Sequence, residues 1–345
     1  MLCFRETQSA PMNMTYGRLS PWVFILPGVI PMSVTVIVLL FLLGLVLIVK
    51  GGDFFVDAAA WMAEVSGIPK VIIGATVVSL ATTLPELLVS LLAATQGKAD
   101  MAVGNAVGSV TANLGLILSL CALFLPFAFR RKEYAAKALL MIAAVGVLYA
   151  CSLEGFLSTL GVLLLFLICA LFFYENIRSA KRQILPAHNR PSPTKNQVTA
   201  NLFKFAFGTL GIIIGARLLV DQGSALAALL GVPEGIISVT VIAIGTSLPE
   251  LVTTVASILK KQGSLSVGNI LGANIIDTTL IVPLCGMIAR NPLAISPQSL
   301  TLDLPICLAM CLVFTAPMLC KGKLMRWQGV AALTLYGVYL GLLVF

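Results

Sequence analysis

Residues 67–90 read GIPKVIIGATVVSLATTLPELLVS, and residues 231–254 read GVPEGIISVTVIAIGTSLPELVTT. The register carries on without a gap into VGNAVGSVTANLGLILSLC at 103–121 and VGNILGANIIDTTLIVPLC at 267–285. One constant offset of 164 relates Gly67 to Gly231 and Cys121 to Cys285, and it reaches back to Val56-Asp57 over Val220-Asp221. A chain that repeats itself at a fixed offset contains two copies of one structural unit. The question is how those copies sit relative to each other.

Composition supplies the solvent. Of 345 residues 59% are hydrophobic and only 10% are charged, with mean hydropathy +1.03, whereas soluble chains carry about 25% charge. So little ionisable surface cannot cover a globule in water, which excludes a soluble enzyme and leaves a polytopic membrane protein. Apolar stretches cover roughly 32–49, 68–95, 101–127, 136–153, 155–174, 202–220, 232–259, 265–289, 299–319 and 327–345, each at or above the length of about 20 residues that a bilayer span requires. The fold class expected is therefore all-α, with ten transmembrane helices. Residues 175–200, rich in Pro, Asn and basic side chains, read as a linker between a first five-helix repeat at 32–174 and a second at 201–345. Residues 1–31 read as an N-terminal extension without the pattern of a cleaved signal. Five spans separate equivalent positions, and because five is odd the copies enter the membrane from opposite faces. Such an inverted repeat is the build of many secondary transporters, with the site expected at the repeat interface near the midplane.

Charge gives the orientation. If every span crosses, 17 of the 22 Lys and Arg residues fall on one side, which makes that side and the linker cytoplasmic and puts both termini outside. The net charge of +8 then reflects anchoring to a lipid leaflet and not nucleic acid. The single histidine, His188, lies in the linker, so His relays, zinc sites and haem ligation lack their usual residues. Cys121, Cys151, Cys169, Cys285, Cys307 and Cys311 lie in or beside apolar segments without metal-ligand spacing and read as small core hydrophobes.

Near the span centres the ionisable residues are Glu86, Glu250 and Asp277. A carboxylate at mid-bilayer costs at least about 2.5 kcal/mol on insertion scales, and no intramembrane cation is available to pair with three of them. Glu86 and Glu250 are repeat-equivalent, as are Asn113 and Asp277. Each Glu follows a proline, Pro85 or Pro249, which removes a backbone hydrogen bond and clashes with the carbonyl four residues back. The two segments are also long: about 27 residues give roughly 40 Å against a 30 Å core. They are expected to be tilted and broken, exposing backbone oxygens beside hydroxyls and the carboxylate. The following segments carry Gly104-Asn105-Ala106-Val107-Gly108-Ser109 and Gly268-Asn269-Ile270-Leu271-Gly272-Ala273, whose glycines at spacing four let helices approach closely. Ser109 and Asn113, four apart, share a helix face. Oxygen ligands without nitrogen or sulfur select hard cations, and two ionised Glu would neutralise one Ca²⁺. A site that holds either Ca²⁺ or Na⁺ must lose one before taking the other, which is antiport.

These motifs resemble the two alpha-repeats of the cation/calcium exchanger superfamily, in particular its prokaryotic sodium/calcium exchangers. The resemblance is carried by Thr82-Thr83-Leu84-Pro85-Glu86 with Gly104–Ser109, and by Gly245-Thr246-Ser247-Leu248-Pro249-Glu250 with Gly268–Gly272. It implies a mid-membrane diamond of Glu86, Asn113, Glu250 and Asp277, with hydroxyls and carbonyls at Ser79, Thr82 and Thr83 and at Ala243, Thr246 and Ser247 as further ligands. It also implies transported Ca²⁺ and Na⁺ with no cofactor, no catalytic residue, no obligatory protein partner, and a place in a prokaryotic inner membrane among lipid. Ala273 stands where the family usually has Ser, Val110 where it usually has Asn, and Ser79 where Ala is commoner. Alternatives remain open: calcium exchange coupled to protons or assisted by potassium, or a cation channel, although fourfold filter repeats are absent. With Ca²⁺ balanced by Glu86 and Glu250, Asp277 is expected to be a protonated hydrogen-bond donor in the occupied site.

Overall fold

The computed structural model describes residues 33–126, 131–183, 192–231, 247–289 and 292–344. The N-terminal extension lies outside the described residues. All regular structure among the described residues is helical, apart from one isolated bridge between Phe156 and Ala294. In chain order the helices are α1 (Val34–Ser66), α2 (Lys70–Thr82), α3 (Leu84–Thr95), α4 (Met101–Phe124), α5 (Arg131–Ala150) and α6 (Thr159–Gln183) in the first half. The second half holds α7 (Lys195–Leu229), α8 (Leu248–Leu259), α9 (Gly263–Ile288), α10 (Ser299–Lys321) and α11 (Arg326–Val344). Six of these are long and apolar enough to cross a membrane alone, and α2 with α3 forms a seventh span bent by 46°.

Helix α1 starts where the Ser33 hydroxyl accepts from the Val36 N–H, and it ends at Gly67, whose φ of 68° is left-handed. At 33 residues it is about 50 Å long, so the first span does not stop near 49 as the apolar run suggests. It continues through Lys50-Gly51-Gly52-Asp53 because both glycines are packing surfaces. The 35-residue α7 is its counterpart and takes in 195–200 of the expected linker, while α6 takes in 175–183.

Helices α1 and α7 lie against each other antiparallel. A Cβ on Gly51 would sit 2.8 Å from the Ile212 nitrogen and 2.9 Å from the Gly208 carbonyl, and one on Gly44 would sit 3.1 Å from the Gly215 carbonyl. Numbers rise on one helix as they fall on the other. Backbones can approach this closely only where side chains are missing. Phe55 stacks on Phe205 at 4.8 Å beside the glycines.

The centre belongs to α4 and α9, of whose apolar windows 72% and 78% of residues are buried, against 22% for α1 and α7. These two central helices also run antiparallel, since Asn113 meets Asn274 while Cys121 meets Ser266. Repeat-equivalent helices thus oppose each other in both layers, which is the inverted repeat in three dimensions. Helix α9 is held against α2 through its glycines: Gly268 lies on the carbonyl of Val71, and a Cβ on Gly272 would be 2.6 Å from the Ala75 carbonyl.

Candidate functional site

The span α2–α3 breaks at Thr83, which has φ −84° and ψ 2°, and helix restarts at Leu84-Pro85. Its repeat equivalent Ser247 has φ −85° and ψ 4° ahead of Leu248-Pro249. Proline therefore sits in the first turn of a new helix, where its missing N–H costs nothing, and not inside a continuous kinked one. This placement also puts Glu86 and Glu250 in the first turns of α3 and α8, where the helix dipole favours negative charge. The first break leaves a row of hydroxyls before Glu86. Thr83 Oγ1 donates to the Ser79 carbonyl at 2.7 Å, Ser79 Oγ to the Thr76 carbonyl at 3.2 Å, and Thr82 Oγ1 to Asn269 Oδ1 at 3.2 Å. A hydroxyl that gives its proton away keeps its lone pairs for another partner.

Asn113 and Asp277 come from the central helices, and each opens a π-helical turn, Asn113–Leu118 in α4 and Asp277–Ile281 in α9. A π turn inserts one extra residue per turn and re-aims the side chains at its start, a device concentrated at functional sites. Two hydrogen-bonded brackets hold the carboxylate-bearing helices to the central ones. Asn105 Nδ2 donates to Ser90 Oγ at 2.9 Å and to the Glu86 carbonyl at 3.3 Å, and Asn269 Nδ2 donates to Thr253 Oγ1 at 3.1 Å.

Glu86, Asn113, Glu250 and Asp277 are all at most 1% exposed. Glu86 lies within electrostatic reach of Glu250 and Asp277, and Asp277 of Glu250, so carboxyls from both repeats are near neighbours. Both oxygens of each, together with Asn113 Oδ1 and Ser247 Oγ, are buried with no hydrogen-bond partner. Acceptors gathered in this way stabilise only in the presence of positive charge, because a buried unpaired carboxylate costs more than the 1–3 kcal/mol of a neutral polar atom. Among the described residues no three of His, Cys, Asp and Glu converge as the shell of one metal ion.

Of the other expected ligands, Ser79 and Thr82 are buried on α2, Ser109 on α4, and Thr83 and Ser247 on the breaks before α3 and α8. Ala243 and Thr246 lie outside the described residues. Two further buried ionisable groups lie within helices but away from the span centres. Asp303 accepts from Ser299 Oγ at 2.9 Å and from the Tyr339 hydroxyl at 3.1 Å, and Lys137 is 1% exposed within α5. Both sit in the outer turns of their helices, where apolar averages do not register them. Asn274 was also missed; the offset of 164 pairs it with Val110, so it had no polar counterpart to draw notice.

A family model described as sodium/calcium exchanger protein matches residues 36–180 and again 201–345. The inner membrane protein YrbG of Escherichia coli is 37% identical over 287 residues, covering 80% of this chain and 86% of the relative. The sodium/calcium exchanger MaX1 of Methanosarcina acetivorans is 31% identical over 345 residues, covering 89% and 98%. Among solved structures, the sodium-calcium exchanger NCX_Mj soaked with Na⁺ and Sr²⁺ superposes with a TM-score of 0.79 at 28% identity, over 90% of this chain and 99% of that one. The chain belongs to the sodium/calcium exchanger protein family.

Proposed function

We propose that this member of the family exchanges Ca²⁺ for Na⁺ across the membrane by alternating access. The carrying observation is the buried set of acceptors without donors on Glu86, Glu250, Asp277, Asn113 and Ser247, contributed by both repeats. Glu86 and Glu250 neutralise a bound Ca²⁺, and Asn113, Asp277 and the hydroxyls and carbonyls at Ser79, Thr82, Thr83, Ser109, Ala243, Thr246 and Ser247 complete the shells of Ca²⁺ or of Na⁺. The same oxygens serve both ions, so one must leave before the other is held. The face carrying Lys70, Lys260 and Lys261 is cytoplasmic, in an inner membrane, and both termini lie outside.

Calcium-45 uptake into vesicles with an imposed sodium gradient tests this reading. Uptake that follows the Na⁺ gradient supports it. Uptake that persists when Na⁺ is replaced and follows a proton or potassium gradient assigns a different coupling ion, and ion currents that saturate like a pore would make the chain a channel.

A further inference from the structure

A side-chain amide has one accepting and one donating end, and rotation by 180° exchanges them. For Asn113 to hold a cation its oxygen must face the carboxyls. The opposite rotamer would present an N–H₂ that hydrogen-bonds them, and such charge-assisted bonds are strong. In the structure the Asn113 oxygen is the buried atom without a partner, while its nitrogen donates to Asn274 Oδ1 at 3.0 Å. Asn274 is 0% exposed, and its own nitrogen lies 3.6 Å from the sulfur of Met141, also 0% exposed. A thioether has no proton to give and can only accept. Met141 therefore sets the rotamer of Asn274, and Asn274 sets that of Asn113.

The other half of the molecule lacks this relay. The residue equivalent to Asn274 is Val110, buried and without polar atoms, and both oxygens of Asp277 are without a partner. An amide needs its polarity assigned, whereas a carboxyl can carry its proton on either oxygen and does not. The device stands in the half where it has something to decide.

We infer that Asn274 is a positioning residue that fixes the Asn113 amide with its oxygen toward the carboxyls, making Asn113 a cation ligand in place of a hydrogen-bond donor. This rests on the exchange function proposed above.

The test measures the KM for Ca²⁺ in sodium-driven vesicle uptake, with calcium-45 equilibrium binding to the purified protein as a second readout. Asn274→Leu, close in size, is expected to raise KM and weaken binding about tenfold with a maximal rate within twofold of wild type. Met141→Leu, farther from the site, is expected to raise KM about two- to threefold. In an Asn113→Ala background, where no amide remains to be oriented, neither change should alter Ca²⁺ binding further. Additive losses in that background would overturn the inference, as would an unchanged KM in Asn274→Leu. Should Asn274→Leu fail to fold, Met141→Leu with and without Asn113→Ala decides the matter by the same criterion. Wild-type protein that neither binds Ca²⁺ nor moves it would instead overturn the functional reading, and the inference with it.

Discussion

The contact between α1 and α8 beside the site has a repeat-equivalent pair in α7 and α3, and the two pairs are closed to different degrees. At the first, a Cβ on Gly52 of α1 would lie 2.6 Å from Val252 and 3.8 Å from Ala256 of α8. Lys260, just past the end of α8, reaches back to α1, where it donates to the Asp53 carbonyl at 2.8 Å and pairs with the Asp57 carboxylate at 2.8 Å. At the second, Ala216 of α7 takes the place of Gly52, and Leu88 and Leu92 of α3 take those of Val252 and Ala256. These leucines are 66% and 60% exposed. Gln96 replaces Lys260, and Arg217 and Asp221, the counterparts of Asp53 and Asp57, pair with each other along α7 at 3.7 Å. The closed seam sets Gly52 against Val252 and Ala256 and ties the helix ends with Lys260, whereas the second sets Ala216 opposite two leucines and, among the described residues, no ion pair joins α7 to α3. The repeats share Glu86 and Glu250 at the site and differ at the flanking pairs, so a bias between access states is to be sought in those pairs and not in the two Glu.

The largest effect is expected where the repeats agree most. Glu86→Gln and Glu250→Gln should each lower sodium-driven calcium uptake more than about a hundredfold while leaving membrane insertion unchanged, because each removes one of the two charges that balance the ion and leaves the other carboxyl buried. Near-normal uptake in only one of the pair would show that the halves do not share the ion equally.

Next comes the position where the site itself is unequal. Asp277→Asn makes it like Asn113, and on charge balance it should keep tens of per cent of calcium exchange and flatten its dependence on pH. Loss as complete as in Glu250→Gln at every pH would make Asp277 an ionised ligand and contradict the charge argument.

The seams predict smaller shifts. Lys260→Gln copies the second seam into the first and should raise thiol labelling of a cysteine placed on the Lys260 face at position 256 by about 1.4- to fivefold, the range that exposed ion pairs of 0.2–1 kcal/mol allow. Gln96→Lys with Arg217→Asp places the latch residues on the other seam and should lower labelling at Leu92→Cys by a similar or smaller factor. Unchanged labelling in both would mean that the ion pairs do not bias access.

Much of this was legible in the sequence. The constant offset and the odd number of intervening spans give the inverted repeat, and Glu86, Glu250 and Asp277 stand out because carboxylates are rare in such apolar surroundings. Hydropathy hides the true length of α1, since Lys50 and Asp53 look like a loop until Lys260 is seen beside Asp53 and the glycines beside α7. The prolines marked the breaks but misplaced them: a proline in the first turn of a helix looks the same in sequence as one that kinks its interior. The π turns at Asn113 and Asp277 leave no mark on a 3.6-residue pattern. The polarity of Asn113 depends on contacts across more than a hundred residues of chain, with Asn274 and Met141, which no local motif records.

The central claim is that one set of oxygens, drawn from both repeats, is shared by the two ions. Calcium-45 binding to the purified protein, titrated with Na⁺, tests it most directly. The account predicts that Na⁺ displaces all bound Ca²⁺ competitively, with a Hill coefficient above one, and that Glu86→Gln and Glu250→Gln each abolish the Ca²⁺ signal. Calcium that stays bound at saturating Na⁺, or that binds normally in either variant, would contradict it.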